Sequence, residues 1–235
     1  MIAIFMATLG WAFASVEGDA WLARIDQTAR IETAHVRLSI SVRDARGRTS
    51  ARSIEIWQKG DDRRLVRMTA PSRLAGIGLL ANPGGSLHMY LPNYPPARRV
   101  VGSKRADAFV GTDFAIEDLT RMAYAGSYTA DIAGQDGELT HLALLSRSEP
   151  SPRDPHLWVD AGGVVRVVEH RDDEGTVLRR LTLGDIRQVG TAQLPHRIEV
   201  TDMKRNRVTT AVIERIETAA DIDDAVFSVT HLERL

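Results

Sequence analysis

Between positions 34 and 43 the chain alternates without a break. Ala34, Val36, Leu38, Ile40 and Val42 point one way, while His35, Arg37, Ser39, Ser41 and Arg43 point the other. A period of two is the signature of a strand with one buried and one wet face. Turn residues then recur at short intervals. They stand at Arg46-Gly47, Lys59-Gly60-Asp61-Asp62, Asn82-Pro83-Gly84-Gly85, Gly134-Gln135-Asp136-Gly137, Asp160-Ala161-Gly162-Gly163, Asp172-Asp173-Glu174-Gly175 and Lys204-Arg205-Asn206. Each cluster tolerates positive φ or forms an Asx-type turn. The runs between them, such as 164–170, 177–186, 198–201 and 208–216, are rich in β-formers. Short strands joined in succession by turns pair antiparallel, so the expected fold is a meander closing into a single sheet or barrel-like form.

Helical signals are few. Residues 19–27 carry Trp21, Leu22 and Ile25 at amphipathic spacing. Residues 113–124 predict a second helix, with Thr112 or Asp113 as N-cap, Glu117 and Asp118 near its start, and Phe114, Leu119 and Met122 on an apolar face. Residues 221–226 predict a final turn. No Gly/Ser linker and no fixed-period repeat divides the chain, so residues 15–235 read as one domain. At 235 residues such a domain has area enough for a core with a cavity in it.

The first residues carry a different signal. Residues 2–14 form an apolar run ending in Ala12-Phe13-Ala14 before Ser15. That is a signal-peptide h-region followed by a small-x-small cleavage site, shorter than the ~20 residues of a spanning helix. No Lys or Arg precedes it, which leaves two readings: the true start lies upstream of Met1, or the run is a buried N-terminal segment. The expectation is a secreted protein with its mature N-terminus at Ser15. The chain has no cysteine, which excludes disulfides, a thiol nucleophile and lipidation on an N-terminal cysteine.

Chemistry is harder to find. Thirty Lys+Arg against 31 Asp+Glu give a net charge of −1, which steers neither nucleic acid nor acidic substrates. Mixed runs such as Asp61-Asp62-Arg63-Arg64 read as solvated turns. The seven histidines show no metal-ligand spacing, and no HExxH is present. His156, Trp158 and Asp160 share a strand face without a nucleophile or oxyanion donors. Asp221, Asp223 and Asp224 lack the glycine and distal glutamate of a calcium loop. Gly76-Ile77-Gly78 lacks the third glycine of a dinucleotide site. No GxSxG and no Walker A motif occurs. The expected protein is therefore a non-enzymatic one without metal or cofactor.

Residues 57–119 are dense in glycine, proline and aromatics beyond what strands and turns require. The block includes Trp57, Gly60, Arg64, Arg67, Pro71 and Gly76, then Tyr90-Leu91-Pro92 and Arg98-Arg99-Val100. Phe109, Gly111, Thr112, Asp113, Phe114, Glu117, Asp118 and Leu119 follow, spaced as Phe-x-Gly-Ser/Thr-Asp-Phe-x-x-Glu-Asp-Leu. With the tail Val226-Phe227-Ser228 and Leu232-Glu233-Arg234-Leu235, these motifs resemble the outer-membrane lipoprotein-sorting protein family, relatives of the periplasmic carrier LolA. The resemblance spans roughly residues 21–235. Val110 stands where members often have Met, and Thr112 where many have Ser.

The resemblance implies a mainly β (α+β) fold, a strongly curved, incomplete antiparallel β-barrel of about eleven strands with a helical lid. It implies a monomeric periplasmic carrier that holds acyl chains of lipoproteins or other lipids and is loaded by an inner-membrane transporter. The groove and lid would draw on Trp57, Arg67, Leu79, Met89, Tyr90, Phe109, Phe114, Leu119 and Met122. Arg67 is the match to a strand arginine that latches the lid in LolA-like carriers. Sheets of such curvature need glycines or bulges, and Gly76, Gly78, Gly84 and Gly85 are the candidate glycines. Arg98, Arg99, Lys104 and Arg105 form the local basic cluster, suited to lipid headgroups or an acidic partner. The alternative reading is an envelope sensor domain that detects lipidated or misfolded proteins on the same fold.

Overall fold

The computed structural model describes residues 16–148, 154–218 and 221–234. The apolar run and cleavage site lie outside the described residues. Helix α1 (Val16–Thr28) opens the domain, followed by β1 (Thr33–Arg43), β2 (Thr49–Lys59), β3 (Arg63–Ala70), β4 (Gly78–Asn82), β5 (Ser86–Tyr90) and the two-residue β6 (Arg98–Arg99). A crossing segment carries the short helix α2 (Ile116–Thr120). The second meander comprises β7 (Tyr128–Asp136), β8 (Leu139–Ser146), β9 (His156–Val159), β10 (Val165–Arg171), β11 (Val177–Val189), β12 (Ala192–Asp202) and β13 (Arg207–Thr218). A 3-10 turn at Asp224–Phe227 and helix α3 (Val229–Leu232) end the chain.

All thirteen strands form one antiparallel sheet in the order β6-β5-β4-β3-β2-β1-β13-β12-β11-β10-β9-β8-β7. Two meanders are thus zipped together where β1 pairs with β13, Val36 opposite Ile216 and Ile40 opposite Ala211. The sheet has thirteen strands, two more than the expected eleven. The sheet does not close, since β6 and β7 are its two edges and do not pair. Topology then dictates the lid. A chain leaving at β6 and re-entering at β7 must cross the full width of the sheet, and residues 100–127 make that crossing.

The curvature comes from β-bulges. Register shifts interrupt the ladders at Arg37/Leu38, Ser53/Ile54, Ile132/Gly134, Val165/Val167 and His170/Arg171. Each bends its strand and increases the local twist. The glycines expected to do this act differently. Gly84 and Gly85 form a turn, and Gly78 makes room for the C-terminal tail: a Cβ there would stand 2.7 Å from Leu232 Cδ1.

The alternation sorts side chains between two cores. On the concave face Leu38, Ile40, Ile54, Val66, Met68 and Leu79 join Leu142, Leu157, Val168, Leu181 and Val200 in one large cluster. Leu22 and Ile25 bring α1 into it. On the convex face Leu65, Leu80 and Tyr90 pack against Ile222, Phe227 and Leu232 of the tail. Most proteins with one sheet leave its outer face wet, and here the tail covers part of it.

Candidate functional site

A cavity of about 490 Å³ lies between the concave face, the C-terminal half of α1 and the crossing segment. Its floor is aliphatic: Val36, Leu38 and Ile40 of β1, Ile54 and Ile56 of β2, Leu181 and Leu183 of β11, Ile198 of β12, and Ile213 and Ile216 of β13. Phe114, Leu119, Met122 and Tyr124 of the crossing segment roof it. Its polar groups are Asp26 and Gln27 of α1, Arg30 just beyond it, Gln58, Asp61 and Arg64 of the β2–β3 hairpin, and Asp118 and Arg121 of the roof.

The roof is tied down at four places. Asp113 is buried, and its carboxylate accepts from Arg207 Nε at 2.7 Å and from Thr209 Oγ1 at 2.6 Å. Arg207 also donates to the Thr112 carbonyl at 2.9 Å. Asp118 sits 2.9 Å from Arg179 and caps its own helix by accepting from the Ala115 N–H at 2.7 Å. Asp26 of α1 accepts from the N–H groups of Tyr124 and Ala125 at 2.7 and 2.9 Å. Burial raises the Asp26 carboxyl above its ordinary range, and these two N–H groups oppose that shift. Gly111 adopts φ +70°, the left-handed turn that sets Thr112 and Asp113 on their partners. The motif residues are therefore anchors of the roof.

The fourth tie is Arg64. Its guanidinium donates to the carbonyls of Arg121 at 2.9 Å and Leu119 at 3.3 Å, and to Gln58 Oε1. Its Nε is buried without a partner. Burial pulls its pKa down to about 10, so the group stays charged at neutral pH. Arg64 shares the concave phase of β3 with Val66 and Met68, and it is not a solvated turn residue as the run 61–64 led one to expect.

Arg67 points the other way, because one step along a strand reverses the face. It donates to the carbonyls of Arg234 at 2.6 Å, His231 at 2.8 Å and Leu232 at 3.3 Å. It clamps the C-terminal tail on the convex side and does not latch the roof. Trp57 is also convex, stacked on His35 with centroids 4.8 Å apart, and Tyr90 belongs to the convex core. Leu79 and Phe109 are fully buried in the concave core without lining the cavity. Met89 and Leu91 line a smaller pocket at the β6 edge, with Arg98, Arg99 and Lys104 around it. Pro92 lies in the turn between β5 and β6, and Arg105 donates to the Gly85 carbonyl. Of the nine expected groove residues, Phe114, Leu119 and Met122 line the cavity. The crossing segment is also less helical than expected. Helix α2 spans five residues, starting after Ala115, because Thr112 and Asp113 are engaged with β13 instead of capping.

Glu117, Asp118 and His170 place one ligand atom each within 4.8 Å of one another, a cluster that sequence spacing did not reveal. Arg121 lies 3.4 Å from Glu117 and Arg179 lies 2.9 Å from Asp118, so guanidinium groups already balance these carboxylates. Burial, with Arg179 next, pulls the His170 ring down to about 3 and keeps it neutral. On the outer face His141 stacks on Trp158 at 4.2 Å and hydrogen-bonds to His156 at 2.9 Å. No helix among the described residues is long and apolar enough to cross a membrane.

Fold and roofed cavity together define the class: the chain has a LolA-like fold, an open antiparallel sheet curved around an apolar interior. An outer membrane lipoprotein-sorting protein domain from Vibrio parahaemolyticus superposes with TM-score 0.78 at 19% identity, over 93% of this chain and 99% of that one. A DUF1329 family protein from Desulfovibrio piger gives 0.81 at 17% identity, over 92% and 98%. A LolA superfamily protein from Nitrosomonas europaea gives 0.76 at 17% identity, over 90% and 97%. A family model described only as that of an uncharacterized protein matches residues 60–234, and the chain belongs to that family. No curated protein matches the sequence.

Proposed function

We propose that this protein is a periplasmic carrier which holds an acyl chain of a lipid or lipoprotein in the roofed cavity and delivers it toward the outer membrane. The observation that carries the reading is the cavity itself, an aliphatic floor of five strands beneath a roof held by hydrogen bonds. At roughly 30 Å³ per methylene-sized group, close to the volume of a water molecule in the liquid, 490 Å³ takes ~16 methylenes. That is the length of one common acyl chain. Each buried methylene contributes about 0.8 kcal/mol, so area alone retains the cargo and no specific headgroup contact is needed. Wider cargo requires the roof to lift, and Arg64 is one of the groups that hold it. An inner-membrane transporter would load the carrier, working on the roof from outside.

The test is uptake of a fluorescent fatty-acid probe by delipidated protein. One probe per chain is expected, with affinity rising with chain length up to about sixteen carbons. Ile198→Trp, which fills the floor, is expected to weaken binding of long probes at least tenfold. Equal binding by both proteins, or no binding by the native chain, overturns the proposal.

A further inference from the structure

The β6 edge carries a second feature, separate from the cavity. Arg98 and Arg99 form an edge strand with both side chains exposed, and a 3-10 turn at Gly102–Ala106 follows with Lys104 exposed. Among the described residues neither Arg98 nor Arg99 has a carboxylate partner. Asp107, 3.3 Å from Lys104, is the single acidic residue in the stretch from Tyr94 to Asp107. The stretch therefore has a local charge of about +3 on a chain whose net charge is −1. Among these cations stand two large apolar groups in water, Tyr94 at 66% and Val101 at 56% exposure. Beneath them a pocket of about 210 Å³ opens, walled by Met89, Leu91, Val100 and Ile116.

We propose that this edge is a foot by which the protein seats on an anionic phospholipid surface. Cations with long apolar stems, an interfacial tyrosine and an apolar recess between them match the layered chemistry of a bilayer surface, with phosphate outside and hydrocarbon beneath. An acidic protein face would complement the charge but gives no use to the exposed Tyr94 and Val101 or to the recess. The foot also adjoins the roof: Ile116 is the first residue of α2 and a wall of the recess, and its N–H bonds to the Asp107 carbonyl at 3.0 Å. Seating therefore brings the lipid surface against the start of the roof helix, where cargo has to leave.

The experiment is flotation of the full chain with vesicles of phosphatidylglycerol mixed into phosphatidylcholine, against phosphatidylcholine alone. Each cation near such a surface strengthens binding about fivefold. Arg98→Ala with Arg99→Ala and Lys104→Ala should then cut partitioning by on the order of 100-fold. High salt should release the native protein, and Tyr94→Ala should weaken binding without changing its salt dependence. All four side chains are exposed, and a thermal melt confirms that the variants fold. Equal binding to both vesicle types, or no binding to anionic ones, overturns the proposal, the latter pointing to a protein partner instead. Fatty-acid probe uptake is measured on the same variants. It should be unchanged in the variants; uptake lost in them would overturn the separation of foot and cavity, whereas no uptake by the native chain would strike the carrier reading and leave vesicle binding as a separate result.

Discussion

Replacing Arg64 with leucine removes the side chain that bridges β3 to the roof, where Arg179 and Arg207 bridge it from β11 and β13. The change severs bonds to the carbonyls of Arg121 and Leu119 and to Gln58, while keeping a side chain that fills the space. A hydrogen bond involving a charged group contributes about 1.5–3 kcal/mol. The bond to Arg121 is 2.9 Å and that to Leu119 a longer 3.3 Å, and the cost of desolvating the buried guanidinium offsets part of the gain. A net loss of about 1–3 kcal/mol in roof closure follows, or roughly a 5- to 150-fold shift toward the open roof. The assay is amide hydrogen exchange. In Arg64→Leu, amides of residues 116–125 should exchange faster by that factor, with those of β11 to β13 unchanged. Arg67→Leu is the matched control. It should loosen residues 228–234 and leave the roof protected. Roof exchange equal to wild type in Arg64→Leu, or faster in Arg67→Leu, would refute the assignment of the two arginines.

Other outcomes follow from the same contacts. Asp113→Ala leaves Arg207 half-buried without its partner, and should cost about 3–5 kcal/mol, measured by urea denaturation. His170 stays neutral in the fold down to about pH 3, whereas the unfolded ring takes a proton near 6.5. The unfolded state binds more protons across that window, so stability falls as pH drops from about 6.5 toward 3. A His170→Gln variant should show a shallower decline, read from melting temperature against pH. Gly111→Ala forces an alanine into φ +70° and against Arg52, 3.2 Å away, and should lower stability by ~1 kcal/mol or more.

The sheet was legible because a strand's two faces are written into its alternation. Val36, Leu38 and Ile40, in phase on β1, form the cavity floor as well as the core. The same rule separates Arg64 from Arg67: Arg64 is in phase with Val66 and Met68, and Arg67 is in phase with Leu65 on the opposite face. Alternation over residues 64–68 therefore marks Arg64 as the concave arginine, whereas the family resemblance points to Arg67. Trp57 and Tyr90 are misplaced by sequence reasoning for a related reason. Large aromatics suit a groove, but the C-terminal tail builds a second core on the convex face, and no local pattern announces such a long-range contact. The roof reads as a helix because Phe114, Leu119 and Met122 have helical spacing. Asp113 instead finds Arg207 and Thr209, 94 and 96 residues on in sequence, and that tertiary pairing shortens the helix to five residues. The motif Gly111 to Leu119 was legible as a unit, and only its partners reveal its role as the anchor of the roof.

The central claim is that the cavity holds one acyl chain, and native mass spectrometry of the protein purified from its own host tests it most directly. The account predicts a bound acyl lipid at one per chain, absent from Ile198→Trp purified in the same way. Protein that carries no lipid and takes none up when mixed with membrane extract would contradict it.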